Sequence, residues 1–175
     1  VASSASNASR SFGAGNPDSS SVSSGIAAPA RASAEIIAVT TRDDFLLDLG
    51  ECVGGQAAVT PVDSIAAALD QFSGARRTQL IAVDARDVED LRGDVESAES
   101  SVPFATLLIF APAEVEKQVA AAVRGSNVFA VLPLPIDRRK TAAVLEGALA
   151  EAANRRANAG DFGTARVETG TFSNV

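Results

Sequence analysis

Five short apolar runs alternate along the chain with longer stretches in which apolar residues recur every third or fourth position. The runs are rich in Val, Ile, Leu and Ala and are typical of strands buried on both faces. They lie at 36–39, 57–60, 79–84, 104–111 and 128–132. Because each run is followed by a helical stretch, the pattern predicts five βα units, which require a parallel sheet covered by helices on both sides.

The first helical stretch shows the pattern most clearly. Phe45, Leu49 and the pair Cys52-Val53 form one apolar stripe, and Gly54 follows it. We expect Thr41 to cap this helix and the acidic residues of its first turn to favour the positive end of the helix dipole. Glycine after the last apolar position is a common helix terminator.

The other helices have comparable signals. We expect Asp63 to cap the second helix and Asp137 to cap the fifth, and we expect Pro112 to open the fourth. The third helix is predicted from the stripe Val88, Leu91, Val95 and Ala98. Pro61 suggests that the second run is an edge strand, because proline cannot donate a backbone hydrogen bond to a neighbour.

The apolar pattern also divides the chain. Residues 1–33 are Ser-, Ala- and Gly-rich and lack apolar periodicity, so we expect a disordered tail or linker. Residues 34–154 form the predicted domain. Residues 155–175 are polar and contain glycine, and we expect a flexible C-terminal linker there.

Composition removes several classes of function. The chain has no histidine and one cysteine, so neither a His-dependent catalytic site nor a Cys or His metal site can be built from it. Its net charge of −7 argues against nucleic acid and against anionic membranes as partners. No apolar run is long enough to span a bilayer, so we expect no membrane insertion and a cytoplasmic location. We expect Cys52 to be a buried structural thiol.

Asp84 ends the third run, where a carboxylate lies at the carboxyl edge of a parallel sheet, the edge at which ligands collect. Five βα units with an Asp at this position resemble the receiver domain of response regulators. The resemblance covers residues 34–154 and implies an α/β fold of the (βα)5 flavodoxin-like (CheY-like) type, a three-layer sandwich with parallel sheet order 2-1-3-4-5. It implies that Asp84 corresponds to the phospho-acceptor.

The other functional positions of the family differ here. The acidic pair that holds Mg²⁺ falls on Thr40 and Thr41, the Thr or Ser position falls on Phe110 or Ala111, and the Lys position falls on Leu134. The proline that follows that Lys in the family matches Pro135, and the resemblance implies a cis bond before it. The acidic pair can instead be aligned with Asp43-Asp44, but helix capping already accounts for both of those residues.

These substitutions remove the groups on which phosphoryl transfer depends. The reaction needs a metal ion and hydrogen-bond donors that neutralise charge on the phosphoryl oxygens. Threonine hydroxyls are poor Mg²⁺ ligands compared with carboxylates, and Leu134 and Phe110 can neither pair with nor donate to a phosphoryl group. We therefore predict a pseudo-receiver that is not an enzyme and carries no metal or cofactor.

For Asp84 the sequence leaves three interpretations open. The carboxylate can be solvated at the strand end and cap the next helix, it can form a structural ion pair, or it can be phosphorylated. For the ion pair, the basic cluster Arg138-Arg139-Lys140 is the expected source of the cation. The nearby acidic run is expected to be a solvated helix face or a docking surface for a basic partner; it comprises Asp87, Glu89, Asp90, Asp94, Glu96 and Glu99.

We expect the function to lie in protein contact, through a partner or a homodimer at the face formed by the fourth helix, fifth strand and fifth helix. Its expected surface residues are Glu114, Lys117, Gln118, Arg138, Arg139 and Lys140, with Glu146 and Glu151 further along the fifth helix. Receiver-like domains also occur at the N-terminus of pilus-localisation ATPases of the TadZ/CpaE type, which is one alternative. A phosphorylatable receiver that uses Asp84 and a small-ligand binder are the others; no P-loop motif occurs in the 175 residues.

Overall fold

The computed structural model describes residues 34–72 and 77–164, with side chains described as far as residue 159. The strands are β1 (Ala34–Val39), β2 (Ala57–Val62), β3 (Thr78–Asp84), β4 (Leu107–Pro112) and β5 (Val128–Leu134). The helices are α1 (Asp43–Val53), α2 (Ile65–Phe72), α3 (Leu91–Ser101), α4 (Glu116–Ala122) and α5 (Arg138–Thr164), with a short 3₁₀ helix at Ala85–Asp87.

The five strands form one parallel sheet in the order β2-β1-β3-β4-β5. This order confirms the predicted (βα)5 flavodoxin-like fold. β3 lies at the centre, and the chain crosses from β2 over β1 to reach it, so the carboxyl ends of β1 and β3 lie side by side. In open α/β sheets such a switch point is where functional groups gather.

The core lies in two layers because successive strand residues point to opposite faces of the sheet. On one face, alternate residues such as Ile36, Leu80 and Leu108 pack against α1 and α5. On the other face, Ile37 and Ile81 belong to the cluster that includes residues of α2 and α3. The three central strands are almost fully buried, which explains why their sequences read as continuous apolar runs.

Two predicted helix caps were wrong. The N-cap residue of α1 is Arg42, and Thr41 instead donates its hydroxyl to Asp87. At α2 the backbone N–H of Ala67 donates to the hydroxyl of Ser64, whereas Asp63 accepts the Ser64 hydroxyl. The predicted cap at Asp137 is confirmed, since its carboxylate accepts the N–H groups of the second and third residues of α5.

Two helix starts also lie further along the chain than predicted. Pro112 is the last residue of β4, and α4 begins at Glu116 after a turn. Val88 precedes α3, which begins at Leu91 with Asp90 as its N-cap. Val88 packs against the core although it lies outside the helix, so periodicity alone places the start of α3 too early.

The fifth helix runs to Thr164 and so passes the boundary predicted at residue 154. Arg155 ties this part of the helix to the domain: it pairs with Glu151 and donates to the backbone carbonyls of Ala105 and Asn127, each at 3.3 Å. Helical structure therefore continues to Thr164, where the sequence predicts a linker. The predicted tail 1–33 and residues 165–175 lie outside the described residues.

Among the helices of the described chain, none combines the length and the apolar character that a membrane crossing requires.

Candidate functional site

The positions aligned with the receiver site meet at the carboxyl edge of the sheet. Thr40 follows β1, Asp84 ends β3, Phe110 lies opposite Asp84 on β4, and Leu134 ends β5. All four are buried, with Asp84 at 0% exposure. The topology therefore brings together the residues that the sequence alignment placed at the site.

The carboxylate of Asp84 is held by Arg86, two residues further along the chain. The guanidinium donates from Nε to Oδ1 at 2.9 Å and to Oδ2 at 3.2 Å, and from its terminal nitrogen to Oδ2 at 2.7 Å. The backbone N–H of Arg86 also donates to Oδ1 at 3.0 Å. The side-chain hydrogen bond to Asp84 raises the pKa of Arg86 above its already high normal value, so this guanidinium remains a cation.

This contact decides between two of the interpretations of Asp84. The interpretation of Asp84 as a solvated cap was wrong about solvation, because the carboxylate is fully buried, but right about capping, because Asp84 is the N-cap of the 3₁₀ helix. A structural ion pair is present, but its cation was predicted wrongly. Arg138 instead pairs with Asp48 and Glu51 of α1. The Nζ of Lys140 lies 3.8 Å from Oδ2 of Asp137. The local Asp-x-Arg spacing was the signal that identifies the true partner.

Asp87 organises the neighbouring loop. Its Oδ2 accepts the backbone N–H of Thr41 at 2.8 Å and the hydroxyls of Thr40 and Thr41 at 3.1 Å each, and its Oδ1 accepts Arg42 Nε at 3.2 Å. Burial alone would raise the pKa of Asp87, but these hydrogen bonds and Arg42 outweigh it and lower the pKa below the usual value. The prediction that Asp87 lies on a solvated acidic helix face was therefore wrong.

Phe110, one of the two residues that the resemblance assigns to the hydroxyl position, lies opposite Asp84 on β4. Its ring meets that of Phe45 edge to face, with centroids 5.1 Å apart. Leu134 is 9% exposed, and the bond between Leu134 and Pro135 is cis, as the resemblance implied. The site therefore presents apolar surface at two positions where phosphoryl transfer would need a donor and a cation.

An open cleft of about 300 Å³ lies beside Phe45, Arg86 and Leu134. Its lining residues are Asp44, Phe45, Asp48, Arg86, Pro112, Leu134, Pro135 and Ile136. In the part of the chain that the structure describes, no three His, Cys, Asp or Glu side chains form a group that could hold a metal ion. The carboxylates that line the cleft are those of Asp44 and Asp48, and Asp48 pairs with Arg138.

The predicted interaction face is only partly assembled as expected. Glu114, Lys117 and Gln118 are exposed on and before α4, and no residue of α4 is buried. Arg138 points to α1 and so lies away from this face, whereas Arg139 is exposed.

Sequence analysis missed the most prominent apolar residue of the same face. Phe129 on the edge strand β5 is 39% exposed, and its ring lies against Gly147 of α5, with a ring carbon 3.3 Å from where a Cβ would be. Lys140, Gly147 and Glu151 recur at spacings that place them on one side of α5. The sequence signal for this exposed residue was an aromatic side chain in a predicted edge strand, followed by a helix that contains a glycine.

Cys52 is half-buried between α1 and α5, where it lines a small cavity with Leu145 and Leu149. Burial raises the pKa of its thiol, and the charge of Arg138 only partly opposes this. A thiol with a raised pKa is a poor nucleophile at neutral pH, in agreement with a structural role.

No protein-family model matches the sequence, and no curated protein matches it. Solved structures do. The chain is similar to the signal receiver domain of an HD domain-containing protein from Pseudomonas fluorescens Pf-5, with a TM-score of 0.59 and 14% identity, over 75% of this chain and 97% of that one. It is also similar to an adenylate cyclase from Rhodopirellula baltica, with a TM-score of 0.61 and 17% identity, over 74% and 97% of the two chains.

A further similar structure is a CheY-like protein, tadZ, from Pseudomonas aeruginosa PAO1, with a TM-score of 0.55 and 12% identity, over 65% of this chain and 98% of that one. Identities at this level establish the fold and not the activity. Together with the strand order, they show that this chain has the CheY-like receiver fold.

Proposed function

We propose that this protein is a non-catalytic pseudo-receiver that acts in the cytoplasm through protein contact and does not depend on phosphorylation. The observation that carries the proposal is the bidentate contact between Arg86 and Asp84. A phospho-acceptor carboxylate must be free to attack and to share a metal ion with the phosphoryl group. In this protein both oxygens of Asp84 are hydrogen-bonded to a cation that belongs to the same chain.

The surrounding residues support the same conclusion. The loop after β1 carries Thr40 and Thr41 in place of metal-binding acids, and both hydroxyls donate to Asp87. Phe110 is packed on Phe45 and cannot donate to a phosphoryl oxygen. Asp84 and Asp87 are each paired with an arginine of the same chain, Arg86 and Arg42, which favours one constant conformation over a switch between two.

The contact surface that we propose is the α4–β5–α5 face. Phe129 supplies the apolar centre that protein interfaces usually require, and Lys117 and Gln118 supply a polar rim. Gly147 leaves room for the Phe129 ring to lie against α5. Either a second copy of the chain or a different protein can use this face.

Phosphorylation is tested by incubating the protein with acetyl phosphate and Mg²⁺ and measuring its intact mass, alongside an NMR titration with beryllofluoride and Mg²⁺. We expect no change of mass and no chemical-shift change at the amide of Asp84. An active receiver domain serves as the positive control. A Mg²⁺-dependent mass increase that disappears in Asp84→Asn would show that the protein is a phosphorylatable receiver.

The contact surface is tested with Phe129→Ser and, as a matched control, Leu47→Ser. Leu47 is 65% exposed on α1, so its replacement removes an exposed apolar side chain from a different face. We expect Phe129→Ser to weaken self-association, measured by analytical ultracentrifugation, or to weaken capture of a partner from the native host. Equal behaviour of the two variants would exclude this face as the contact surface.

A second candidate function is localisation of a pilus-assembly ATPase, which the similarity to the CheY-like tadZ protein favours. The same α4–β5–α5 face would then serve to place the protein in the cell. A fluorescent fusion in the native host tests this. Discrete foci that Phe129→Ser disperses and Leu47→Ser retains would support it, and diffuse fluorescence of the unaltered fusion would contradict it.

A further inference from the structure

A second groove lies on the opposite face of the sheet from α1 and α5, between α2 and α3. Its volume is about 350 Å³, and its lining residues are Ile65, Ala66, Leu69, Asp70, Asp94, Ser97, Ser101 and Val102. Leu69 and Val102 are only half-buried, so apolar surface is open to the solvent along the floor of the groove.

An exposed aromatic residue extends the apolar surface at one end of this groove. Phe104 follows Val102 closely in the chain and is 38% exposed. Its ring contacts that of Phe72, the last residue of α2, with the centroids 5.8 Å apart and the ring planes tilted by 46°. Leu69, Val102 and Phe104 therefore supply aliphatic and aromatic anchoring positions on one surface, of the kind that a groove offers to an amphipathic helix.

The charge around the groove indicates which partner it fits. Asp94 is exposed at the rim, and Asp63 and Asp90 precede α2 and α3. Among the described residues no lysine or arginine lines the groove. The one described arginine of α3, Arg92, is paired with Glu96 and lines a different cavity, next to Arg124. A negative rim around an apolar floor is complementary to a helix with apolar anchors and basic flanks.

We propose that the α2–α3 groove binds a basic amphipathic helix of a partner protein. The length of α3, 11 residues, corresponds to about 16 Å at 1.5 Å per residue, which accommodates about three turns of a bound helix. Apolar residues at every third or fourth position of that helix contact Leu69, Val102 and Phe104, and its lysines or arginines face Asp94. This surface is separate from the α4–β5–α5 face, so the domain can join two partners.

The probe for this proposal is a synthetic amphipathic peptide of roughly 14 residues built from leucine and lysine, with a leucine and glutamate peptide of the same pattern as its control. Amide chemical shifts of the whole protein are followed by NMR during titration. We expect the basic peptide to shift residues of α2, α3 and the segment around Val102, and the acidic peptide to shift none of them.

Two pairs of variants separate groove binding from general charge attraction. Asp94→Lys is compared with Asp43→Lys, which makes the same charge change on α1, where Asp43 is exposed. Phe104→Ser is compared with Leu47→Ser. We expect Asp94→Lys and Phe104→Ser each to weaken binding of the basic peptide roughly three- to tenfold. The controls should weaken its binding less than twofold. Thermal melting identifies any variant that loses its fold. Because Asp94 is exposed, Asp94→Lys should stay folded and test binding even if Phe104→Ser does not.

Shifts that centre on the α4–β5–α5 face, or equal loss of binding in Asp94→Lys and Asp43→Lys, would overturn the proposal. Equal binding of the basic and acidic peptides would also overturn it. None of these results bears on phosphorylation of Asp84, so the proposed pseudo-receiver function stands or falls by its own test.

Discussion

Phe110 on β4 and Phe45 on α1 meet edge to face at the carboxyl edge of the sheet, with an angle of 80° between their rings. Both side chains are at most 1% exposed. Phe110 is one of the two residues, with Ala111, to which the resemblance assigns the hydroxyl position of a receiver domain, and in this protein it forms a core contact between helix and sheet. The contact ties the conformation of this edge to the stability of the core.

Replacing Phe110 with threonine restores the hydroxyl and removes this contact. We expect Phe110→Thr to lower the free energy of unfolding by about 3–5 kcal/mol, because a buried aromatic ring is lost and a cavity is left. Urea denaturation measures this change in the free energy of unfolding. Phe104→Thr is the control, since Phe104 is 38% exposed, and its cost should be less than half as large. A similar loss in both variants would argue against a central role of the Phe45–Phe110 contact.

The ion pair of Arg86 and Asp84 joins a fully buried carboxylate to a guanidinium whose side chain is 27% exposed. Arg86→Ala leaves a fully buried carboxylate without its cation, and we expect a loss of roughly 2–4 kcal/mol in the free energy of unfolding. The double variant Arg86→Met/Asp84→Leu should lie within about 1 kcal/mol of the original protein, because it removes both charges. The exposed pair of Arg92 and Glu96 is the control: Arg92→Ala should cost less than about 1 kcal/mol.

The same pair accounts for the expected absence of metal binding. We expect the variant Thr40→Asp/Thr41→Asp/Arg86→Asn to bind Mg²⁺ in isothermal titration calorimetry, because it frees Asp84 and adds two carboxylate ligands at the end of β1. The original protein should show no heat of binding. Thr40→Asp/Thr41→Asp with Arg86 retained is the matched control. Mg²⁺ binding by that control would show that Arg86 does not block the site.

The lowered pKa of Asp87 predicts a dependence of stability on pH. Since the folded protein holds this carboxylate ionised more strongly than the unfolded chain does, its stabilising effect is complete above the unfolded pKa of about 3.9. The effect is lost as the pH falls from there through the folded pKa. We expect Asp87→Asn to reduce stability at pH 7 by about 1–2 kcal/mol and to flatten the acid side of the profile.

The control for this pH profile is Asp43→Asn, because Asp43 is exposed in the first turn of α1 and has no hydrogen-bonded network like that of Asp87. Chemical denaturation between pH 2 and 7 is run on the original protein and both variants. An acid limb that is unchanged in Asp87→Asn would show that other carboxylates control acid unfolding.

Arg155 is expected to hold the C-terminal part of α5 on the domain. Arg155→Ala removes the contacts to the carbonyls of Ala105 and Asn127. We expect this variant to exchange its amide hydrogens beyond Ala152 faster and to lose about 1 kcal/mol in the free energy of unfolding. Arg139→Ala, at an exposed position near the start of the same helix, is the control and should leave that exchange unchanged. Exchange that is equally slow in Arg155→Ala would mean that the helix needs no such anchor.

The sequence by itself determined the parallel sheet with helices on both faces and most of the core, and the resemblance to receiver domains supplied the strand order that the structure confirms. Alternation of apolar runs and helical stripes admits few arrangements other than a parallel sheet with helices on both faces, because buried backbone groups must pair within it and connections are right-handed. Alignment on Asp84 also placed Thr40, Phe110 and Leu134 at one edge of the sheet, where the structure has them.

Only the tertiary structure decided how the charges pair. Arg86 and Arg138 are both plausible partners for Asp84 on sequence grounds, yet Arg86 folds back onto the carboxylate and Arg138 crosses to α1. Asp87 belongs to the acidic run in sequence but binds Thr40 and Thr41, distant in the chain. Long flexible side chains can reach several partners, and burial, which depends on the packing of the whole domain, determines which contact is stable.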